Sequence, residues 1–400
     1  MTVSAPRARI GAAALFLFGT ASALSAQAKR PMTFMDIQQL DQAGSPALSP
    51  DGKWLLYTLS VPSWKEARRY TDIWLVATDR GFPSARQLTF TKTRNETAPR
   101  WSRDGKLFVF SSNRDAATPD AGNQLYLMHP DGGEARKITD AKNGVDDFEF
   151  TSDGKWLIYS AGKAGERQLW SLEVGELTGG EAKPKQLTKL ETAVTDWQLV
   201  EDGSAVLFRS PDTVDADEKA RMEKKFDVRI RNQDQPLQQL WRLDLATGES
   251  RRLVDSRDYS VGTVTFSPDG RWVGFLGAPD DRYKRTVTES GIYQDLYLLE
   301  VATGRIERLT SNDEAGESAL SFSPDGRLIA FSAPNDFVYS RDSKVYIRET
   351  AAAGQPFRKL GESFDGPVSI GWWSRDGSTI YFNGGVKATM QVLALDVAAN

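Results

Sequence analysis

Short, nearly continuous apolar runs recur along the chain, and each follows an Asp-Gly pair. Examples are "KWLLYTL" at 53–59, "KLFVFSS" at 106–112 and "RLIAFSA" at 327–333. A strand with one solvated face alternates apolar and polar residues, whereas a run without strict alternation is typical of a strand covered on both faces. The pattern therefore predicts sheets that are packed between neighbours on either side.

Seven Asp-Gly pairs stand in similar settings along the chain. A large apolar residue lies three positions before each aspartate, and an aromatic residue lies five positions after each glycine. The aspartates are Asp51, Asp104, Asp153, Asp202, Asp269, Asp325 and Asp376. Because aspartate hydrogen-bonds its own backbone in a turn and glycine tolerates a positive φ, each pair predicts a β-hairpin.

A second pair of strands follows most of these hairpins. Strands such as "DIWLVAT" (72–78) and "DLYLLEV" (295–301) lead through a turn to a basic segment with a leucine, as in "ARQLTF" (85–90). Four strands in about 50 residues are typical of a propeller blade. We therefore expect an all-β fold, a seven-bladed β-propeller of four-stranded antiparallel blades over residues 45–400. Its last blade is incomplete, because "MQVLALDV" (390–397) is followed by only "AAN".

The segment before the first repeat has a different pattern. Residues 1–28 carry Arg7 and Arg9, then a short apolar run, then "AQA", which predicts a signal peptide cleaved after Ala28. An uncleaved membrane anchor is the alternative. Residues 29–44 are expected to be a helical lead-in, in which Thr33 and Asp36 form a capping box.

Two insertions, at 211–237 and 278–294, interrupt the regular spacing of the repeats. In the first, Asp215 with Lys219 and Asp217 with Arg221 have the i,i+4 spacing of a helix. This insertion is either a solvated helical loop at the rim or a flap that docks another domain. The second insertion, "APDDRYKRTVTESGIYQ", does not discriminate between these roles.

Composition and charge narrow the possible partners. The chain is 40% hydrophobic and 26% charged, which is usual for a globular protein. Its net charge of −4 becomes −6 when the two arginines of residues 1–28 are removed, which argues against nucleic acid as a partner. The sequence has no cysteine and no later stretch apolar enough to cross a membrane. We expect an exported protein, periplasmic or extracellular, that is free of the membrane after cleavage.

The residues needed for catalysis are scarce in this sequence. His129 is its only histidine and lies in a turn, so neither a histidine metal cluster nor an ordinary Ser-His-Asp triad is expected. A G-x-S-x-G elbow, a glycine-rich phosphate loop and EF-hand spacing are also missing. We therefore assign no catalytic residue, cofactor or metal ligand to this chain.

The repeated "SPDG" and "SRDG" hairpins, with their "LW" or "LY" third strands and "R-x-LT" fourth strands, carry a family likeness. Over residues 33–400 the chain resembles the propeller of the prolyl oligopeptidase family of serine peptidases, in its acylaminoacyl-peptidase and dipeptidyl-peptidase branch. TolB-like propellers have similar hairpins. The resemblance implies an α/β-hydrolase domain C-terminal to this chain, whose Ser-Asp-His triad has no matching residues here. It also implies that the propeller filters peptide substrates and covers the catalytic cavity.

Candidate substrate contacts lie in the connections between blades. "TKTRNETAPRW" (91–101) is the most polar of these, and its Arg94 and Glu96 are the candidates. A carboxylate such as Glu96 can accept charge-assisted hydrogen bonds from a peptide's amino terminus, although a solvated loop explains the same residues. Two other functions stay open: a stand-alone TolB-like periplasmic binding propeller without enzymatic activity, and an autonomous propeller hydrolase or lyase.

Overall fold

The computed structural model describes residues 30–118, 121–180, 182–225, 228, 236–278, 292–312 and 314–398. Their strands form seven antiparallel sheets in chain order, six with four strands and the last with three. Each sheet is a meander in which consecutive strands pair. The prediction of a seven-bladed β-propeller with an incomplete last blade is thus confirmed.

The first four blades contain sixteen strands. The strands of blade 1 are Gln42–Leu48, Trp54–Ser63, Arg68–Ala77 and Arg86–Gln87. The strands of blade 2 are Glu96–Trp101, Phe108–Ser112, Gln124–His129 and Gly132–Lys137. The strands of blade 3 are Val145–Phe150, Trp156–Ala161, Gln168–Glu173 and Lys185–Gln186. The strands of blade 4 are Asp196–Leu199, Ala205–Pro211, Gln238–Asp244 and Ser250–Val254.

The last three blades contain eleven strands. The strands of blade 5 are Ser260–Phe266, Trp272–Ala278, Asp295–Glu300 and Ile306–Arg308. The strands of blade 6 are Ser318–Phe322, Leu328–Pro334, Ser343–Glu349 and Arg358–Leu360. The strands of blade 7 are Trp372–Trp373, Thr379–Val386 and Thr389–Asp396.

Helices are short and lie outside the sheets. They are Phe34–Gln38, Val174–Leu177 and Ala216–Glu223, with 3-10 turns at Phe82–Ser84 and Asn335–Phe337. The first has the capping box of Thr33 and Asp36, and belongs to an N-terminal unit that ends at Leu40. The first strand begins at Gln42, within the segment expected to be helical lead-in. The expected signal peptide, residues 1–28, lies outside the described residues.

The expected insertions connect the second and third strands of blades 4 and 5. In the first, Asp215 caps the helix Ala216–Glu223 by accepting from the Glu218 amide at 2.7 Å. Lys219 pairs with Glu191 at 3.2 Å, and Arg221 pairs with Glu218. Most of the second insertion lies outside the described residues. Among the helices of the described residues, none is long and apolar enough to span a membrane.

Six of the seven hairpin turns are closed by a hydroxyl as well as by their Asp-Gly pair. In blade 1 the Ser49 hydroxyl donates to Asp51 at 2.6 Å and accepts from the Trp54 amide at 3.0 Å. The same carboxylate accepts from the Lys53 amide at 3.1 Å. Serine or threonine makes this bond to the aspartate in blades 2, 3, 5, 6 and 7 as well. Blade 4 has Val200 at this position and therefore lacks the hydroxyl.

Consecutive turns stack on one another. A side-chain carbon added to Gly105 would lie 3.5 Å from Pro50 of the preceding turn, and one on Gly326 would lie 3.5 Å from Pro268. These glycines have φ near +70°, a conformation that favours glycine. The turns therefore form a continuous row along one end of the sheets.

The hydrophobic core lies between the blades. Buried clusters connect each blade to the next, from blades 1 and 2 through to blades 6 and 7. Second strands of the inner blades are buried on both faces, as their apolar runs predict. In blades 1 and 7 the second strand alternates in burial. Among the described residues no buried apolar cluster joins blade 7 to blade 1, and Leu48, Met390 and Val392 are exposed.

The meander order gives the sheets two different ends. Turns between first and second strands, with their Asp-Gly pairs, lie at one end, which we call the Asp-Gly face. Connections between second and third strands, and those from one blade to the next, lie at the opposite end. We call that end the insertion face, because both insertions lie on it. The connection containing Arg94 also belongs to the insertion face.

Candidate functional site

The two predicted contact residues lie on the insertion face, where blade 1 meets blade 2. Arg94 is in the connection between these blades, and Glu96 begins the first strand of blade 2. A bridge between Thr71 and Asn95 holds this connection against the third strand of blade 1, and the Thr71 amide donates to the Asn95 side chain at 3.0 Å. The polar composition of the connection thus reflects contacts between blades.

Glu96 is fully buried and forms an ion pair. Its Oε1 accepts from Nε of Arg114 at 2.9 Å and more closely from Nη2. The Arg114 guanidinium lies over the rings of Phe110 and Tyr126, at 5.3 and 5.2 Å from their centroids. The Glu96 Oε2 is buried and has no hydrogen-bond partner among the described residues. The carboxylate is therefore enclosed between the blades.

Asp72 is the second acid of this cluster. It accepts from the Thr91 amide at 3.1 Å and from the Thr89 hydroxyl at 3.3 Å. Burial raises the pKa of Asp72 to about 6, and the nearby charge of Glu96 acts in the same direction. The junction of blades 1 and 2 therefore holds two carboxyl groups with one guanidinium.

Arg94 links two connections of the insertion face. Its Nη1 donates to the Thr93 carbonyl at 2.9 Å and its Nη2 to the Ala116 carbonyl at 3.1 Å. Arg94 is half-buried, and its Nε is buried without a hydrogen-bond partner among the described residues. Glu96 is fully buried and Arg94 is half-buried, so the two side chains differ in their access to solvent. Substrate contact stays a prediction for both residues.

His129 lies away from this cluster. It is the last residue of its strand at the Asp-Gly face, is exposed, and has Nδ1 3.2 Å from the Lys106 carbonyl. No group of three or more histidine, aspartate or glutamate side chains suited to a metal is present within the ranges that the structure describes. Within the described residues, the charged cluster on the insertion face is the ion pair of Glu96 with Arg114, beside Asp72.

A polar side chain at the start of the third strand was missed by the sequence reasoning. In blade 2 Gln124 accepts from the Thr139 hydroxyl and from the Ala141 amide, both at 2.9 Å. Gln168 does the same in blade 3, with Thr188 at 2.8 Å and the Leu190 amide at 3.0 Å. The signal is visible in the sequence as a polar residue before "LY" or "LW" and a threonine in "LT". This bond fixes the connection to the next blade at the insertion face.

No protein-family model matches the chain. Among curated proteins it is similar to dipeptidyl-peptidase 5 of Porphyromonas endodontalis, with 23% identity over 299 residues that cover 75% of this chain and 38% of that protein. A shorter match of 94 residues, 33% identical, relates 24% of the chain to 18% of the Tol-Pal system protein TolB of Francisella tularensis.

A solved prolyl endopeptidase structure superposes with a TM-score of 0.54 at 13% identity, covering 90% of this chain and 51% of that one. This likeness shows the fold. Together with the dipeptidyl-peptidase relative, it confirms the expected resemblance to the propeller of prolyl oligopeptidase family peptidases. The chain spans well under half the length of that curated relative.

Proposed function

We propose that this chain is the propeller portion of an exported serine peptidase of the dipeptidyl-peptidase or acylaminoacyl-peptidase type. Its role is to filter peptide substrates and to cover an α/β-hydrolase domain that supplies the chemistry. The observation that carries the proposal is the match to dipeptidyl-peptidase 5 over three quarters of the chain. The match covers 38% of that relative, and in this proposal the catalytic residues lie in the α/β-hydrolase domain.

The two ends of the propeller support an assignment of the covering surface. The Asp-Gly face carries a row of short, stacked turns of similar geometry between first and second strands, beside the connections between third and fourth strands. The insertion face carries both insertions and the buried acid cluster around Glu96. Because functional residues are concentrated on variable loops held by a rigid scaffold, we assign the covering role to the insertion face.

The test uses the complete product of the gene. The reading frame beyond Asn400 is expected to encode a G-x-S-x-G elbow and a later histidine within about 250 residues, the size of one more domain. The purified product should cleave short peptides and leave folded proteins intact. A reading frame without these motifs, or equal cleavage of folded and unfolded proteins, would contradict the proposal.

A stand-alone binding propeller similar to TolB is the second candidate. The 94-residue match to TolB favours it, since that match has the higher identity. The two candidates differ in the fate of a peptide. A binding propeller holds a peptide without cleaving it, so the gene product would bind a labelled peptide and release it intact. Hydrolysis by the complete product would exclude this candidate.

A further inference from the structure

Six junctions between consecutive blades share one buried side-chain position. It lies five residues before the large apolar residue that ends the first strand of the following blade. The residues at this position are Glu96, Val145, Val194, Val261, Glu317 and Val368, and all are buried. At three valine positions the amide donates to a carbonyl of the preceding blade at 2.8 Å, so the position is part of the contact between blades.

The facing position in the preceding blade changes together with this residue. It is the polar residue directly before the first fully buried apolar side chain of the third strand. In the order of the junctions, these residues are Asp72, Gln124, Gln168, Gln239, Asp295 and Lys344. Where the first position is valine, the facing position is glutamine or lysine. Where the first position is glutamate, the facing position is aspartate. Two facing buried carboxylates repel each other unless a cation or a proton intervenes.

The two acidic junctions differ in where the arginine lies. Between blades 1 and 2, Arg114 pairs directly with Glu96 and compensates its charge. Between blades 5 and 6, Arg308 pairs with Asp295 through Nε at 3.1 Å and Nη2 at 2.5 Å. Glu317, which is 4% exposed, has no ion pair among the described residues. At the second junction the acid without an ion pair is therefore the buried Glu317 itself, whereas at the first junction it is the half-buried Asp72 of the facing strand.

The remaining contacts of Glu317 are neutral. Its Oε1 accepts from the Asn312 amide group at 2.5 Å, and its Oε2 is buried without a hydrogen-bond partner among the described residues. From blade 5, the charged groups that act on it are Asp295 and Arg308. From blade 6, the neutral Ser332 pairs with the adjacent Ser318. An ionised glutamate in this place would be costly, because burial penalises a charge that has no partner.

We propose that Glu317 carries a proton below neutral pH, and that its ionisation as the pH rises loosens the contact between blades 5 and 6. This junction is then a pH-sensitive joint within the propeller. The proton resides on the carboxyl of Glu317, and burial holds it there, with a smaller contribution from the negative charge of the facing Asp295. At the junction of blades 1 and 2 the buried glutamate, Glu96, has an ion pair with Arg114 in place of the proton, and the acid that titrates there is the half-buried Asp72.

The direction of the pH effect follows from the folded and unfolded states. Burial, with a smaller contribution from Asp295, raises the pKa of Glu317 to about 7 from its ordinary 4.5. The folded protein therefore binds this proton more tightly than the unfolded chain. The stabilisation is complete below pH 4.5 and is lost as the pH rises through 7. Over this range the unfolding equilibrium constant should rise on the order of 100-fold because of this one group.

The experiment compares equilibrium unfolding of the full chain at pH 5 to 9 with that of two variants. Glu317→Gln keeps the shape of the side chain and removes its titration, so the rise of the unfolding constant between pH 5 and 8 should shrink about 100-fold. The double variant Asp295→Gln with Glu317→Val has the glutamine and valine found at the other junctions, and its unfolding constant should show the same reduced dependence on pH. It tests the proposal even if Glu317→Gln folds poorly. Glu314→Gln, an exposed glutamate three residues away, is the matched control and should leave the profile unchanged.

A local measurement separates loosening of the joint from a global change. Amide hydrogen exchange at Leu296 and Leu309, which are hydrogen-bonded beside the joint, should accelerate above pH 7 beyond the intrinsic chemical rate. In Glu317→Gln the exchange of these amides above pH 7 should follow the intrinsic chemical rate. The proposal is overturned if wild-type protein and Glu317→Gln show the same pH profile of unfolding, or if exchange at these amides follows the intrinsic rate in both.

Discussion

In the six hairpin turns that have it, the hydroxyl contributes to stability by bonding both the aspartate and the backbone of the second strand. In blade 6 the Ser323 hydroxyl donates to Asp325 at 2.5 Å and accepts from the Leu328 amide at 2.9 Å. Ser323 is buried, so the Leu328 amide does not easily replace the lost bond with one to water, whereas the exposed Asp325 does. Hydroxyls of this kind hold the backbone amide with which the second strand begins.

Replacing Ser323 with alanine should therefore lower the free energy of unfolding by about 1–2 kcal/mol, the cost of leaving buried hydrogen-bonding groups unpaired. Denaturant titration of the full chain measures the change. Ser340→Ala, at an exposed serine of the same blade, should change the free energy by less than about 0.5 kcal/mol. Equal effects of the two substitutions would argue against a structural role for the turn hydroxyl.

Loss of Arg114 should lower the free energy of unfolding more than loss of Glu96, its partner in the buried ion pair. Arg114→Met leaves a fully buried carboxylate without its cation and should cost about 3–5 kcal/mol. Glu96→Val introduces the residue found at four other junctions, and leaves a guanidinium that still has some contact with water, so it should cost less. Unfolding of both single variants and the double variant gives the coupling energy. A larger loss for Glu96→Val than for Arg114→Met would contradict the burial argument.

At the scale of elements, the terminal blades differ from the inner ones. The third strand of blade 7 exposes 72% of Met390 and 58% of Val392. Both residues lie on the face that also presents Tyr381 and the Trp372 ring stacked against it at 5.5 Å. The outermost strand of blade 7 also has an open edge among the described residues. Such an apolar face beside an unpaired edge favours self-association.

Met390→Lys should therefore reduce self-association of the chain, measured by light scattering over a concentration series, while the unfolding free energy changes by less than about 0.5 kcal/mol. Gln391→Lys adds the same charge to the same exposed strand without removing apolar surface. If Gln391→Lys reduces self-association as much as Met390→Lys does, the added charge is the cause of the reduction and the loss of apolar surface is not.

The repeat, the strand order within each blade and the incomplete last blade could be predicted from the sequence, because turn chemistry and apolar runs are local signals. The aromatic residues five positions after each glycine are buried in six blades, and only Tyr57 of blade 1 is half-buried. The burial of Glu96 could not be predicted. A glutamate in a polar connection looks solvated until Arg114, eighteen residues later, is brought against it by the second strand.

At the scale of the whole molecule, the turn aspartates set the response to acid. Hydrogen bonds from the turn hydroxyls hold the pKa of Asp51, Asp104, Asp153 and Asp325 below the usual range, and the pKa of Asp376 at about 2. Because these pKa values are lower in the folded protein, their stabilisation is present above the ordinary aspartate pKa and is lost as the pH falls through the folded values.

Acid unfolding followed by tryptophan fluorescence should therefore begin below about pH 4 and steepen toward pH 2. Asp376→Asn removes one of these groups and should make the loss of stability below pH 4 shallower. Asp365→Asn, at an exposed aspartate of the preceding connection, is the control. Identical acid profiles for Asp376→Asn and the wild-type protein would contradict the assignment.

The most direct measurement of the proposed function is covalent labelling of the complete gene product with a fluorophosphonate probe for serine hydrolases, followed by mass spectrometry of the labelled peptide. If residues 1–400 are the covering propeller of a peptidase, the labelled serine lies beyond Asn400, and labelling is blocked by a short peptide substrate. A labelled serine within residues 1–400, or peptide hydrolysis by a product that the probe does not label, would contradict it.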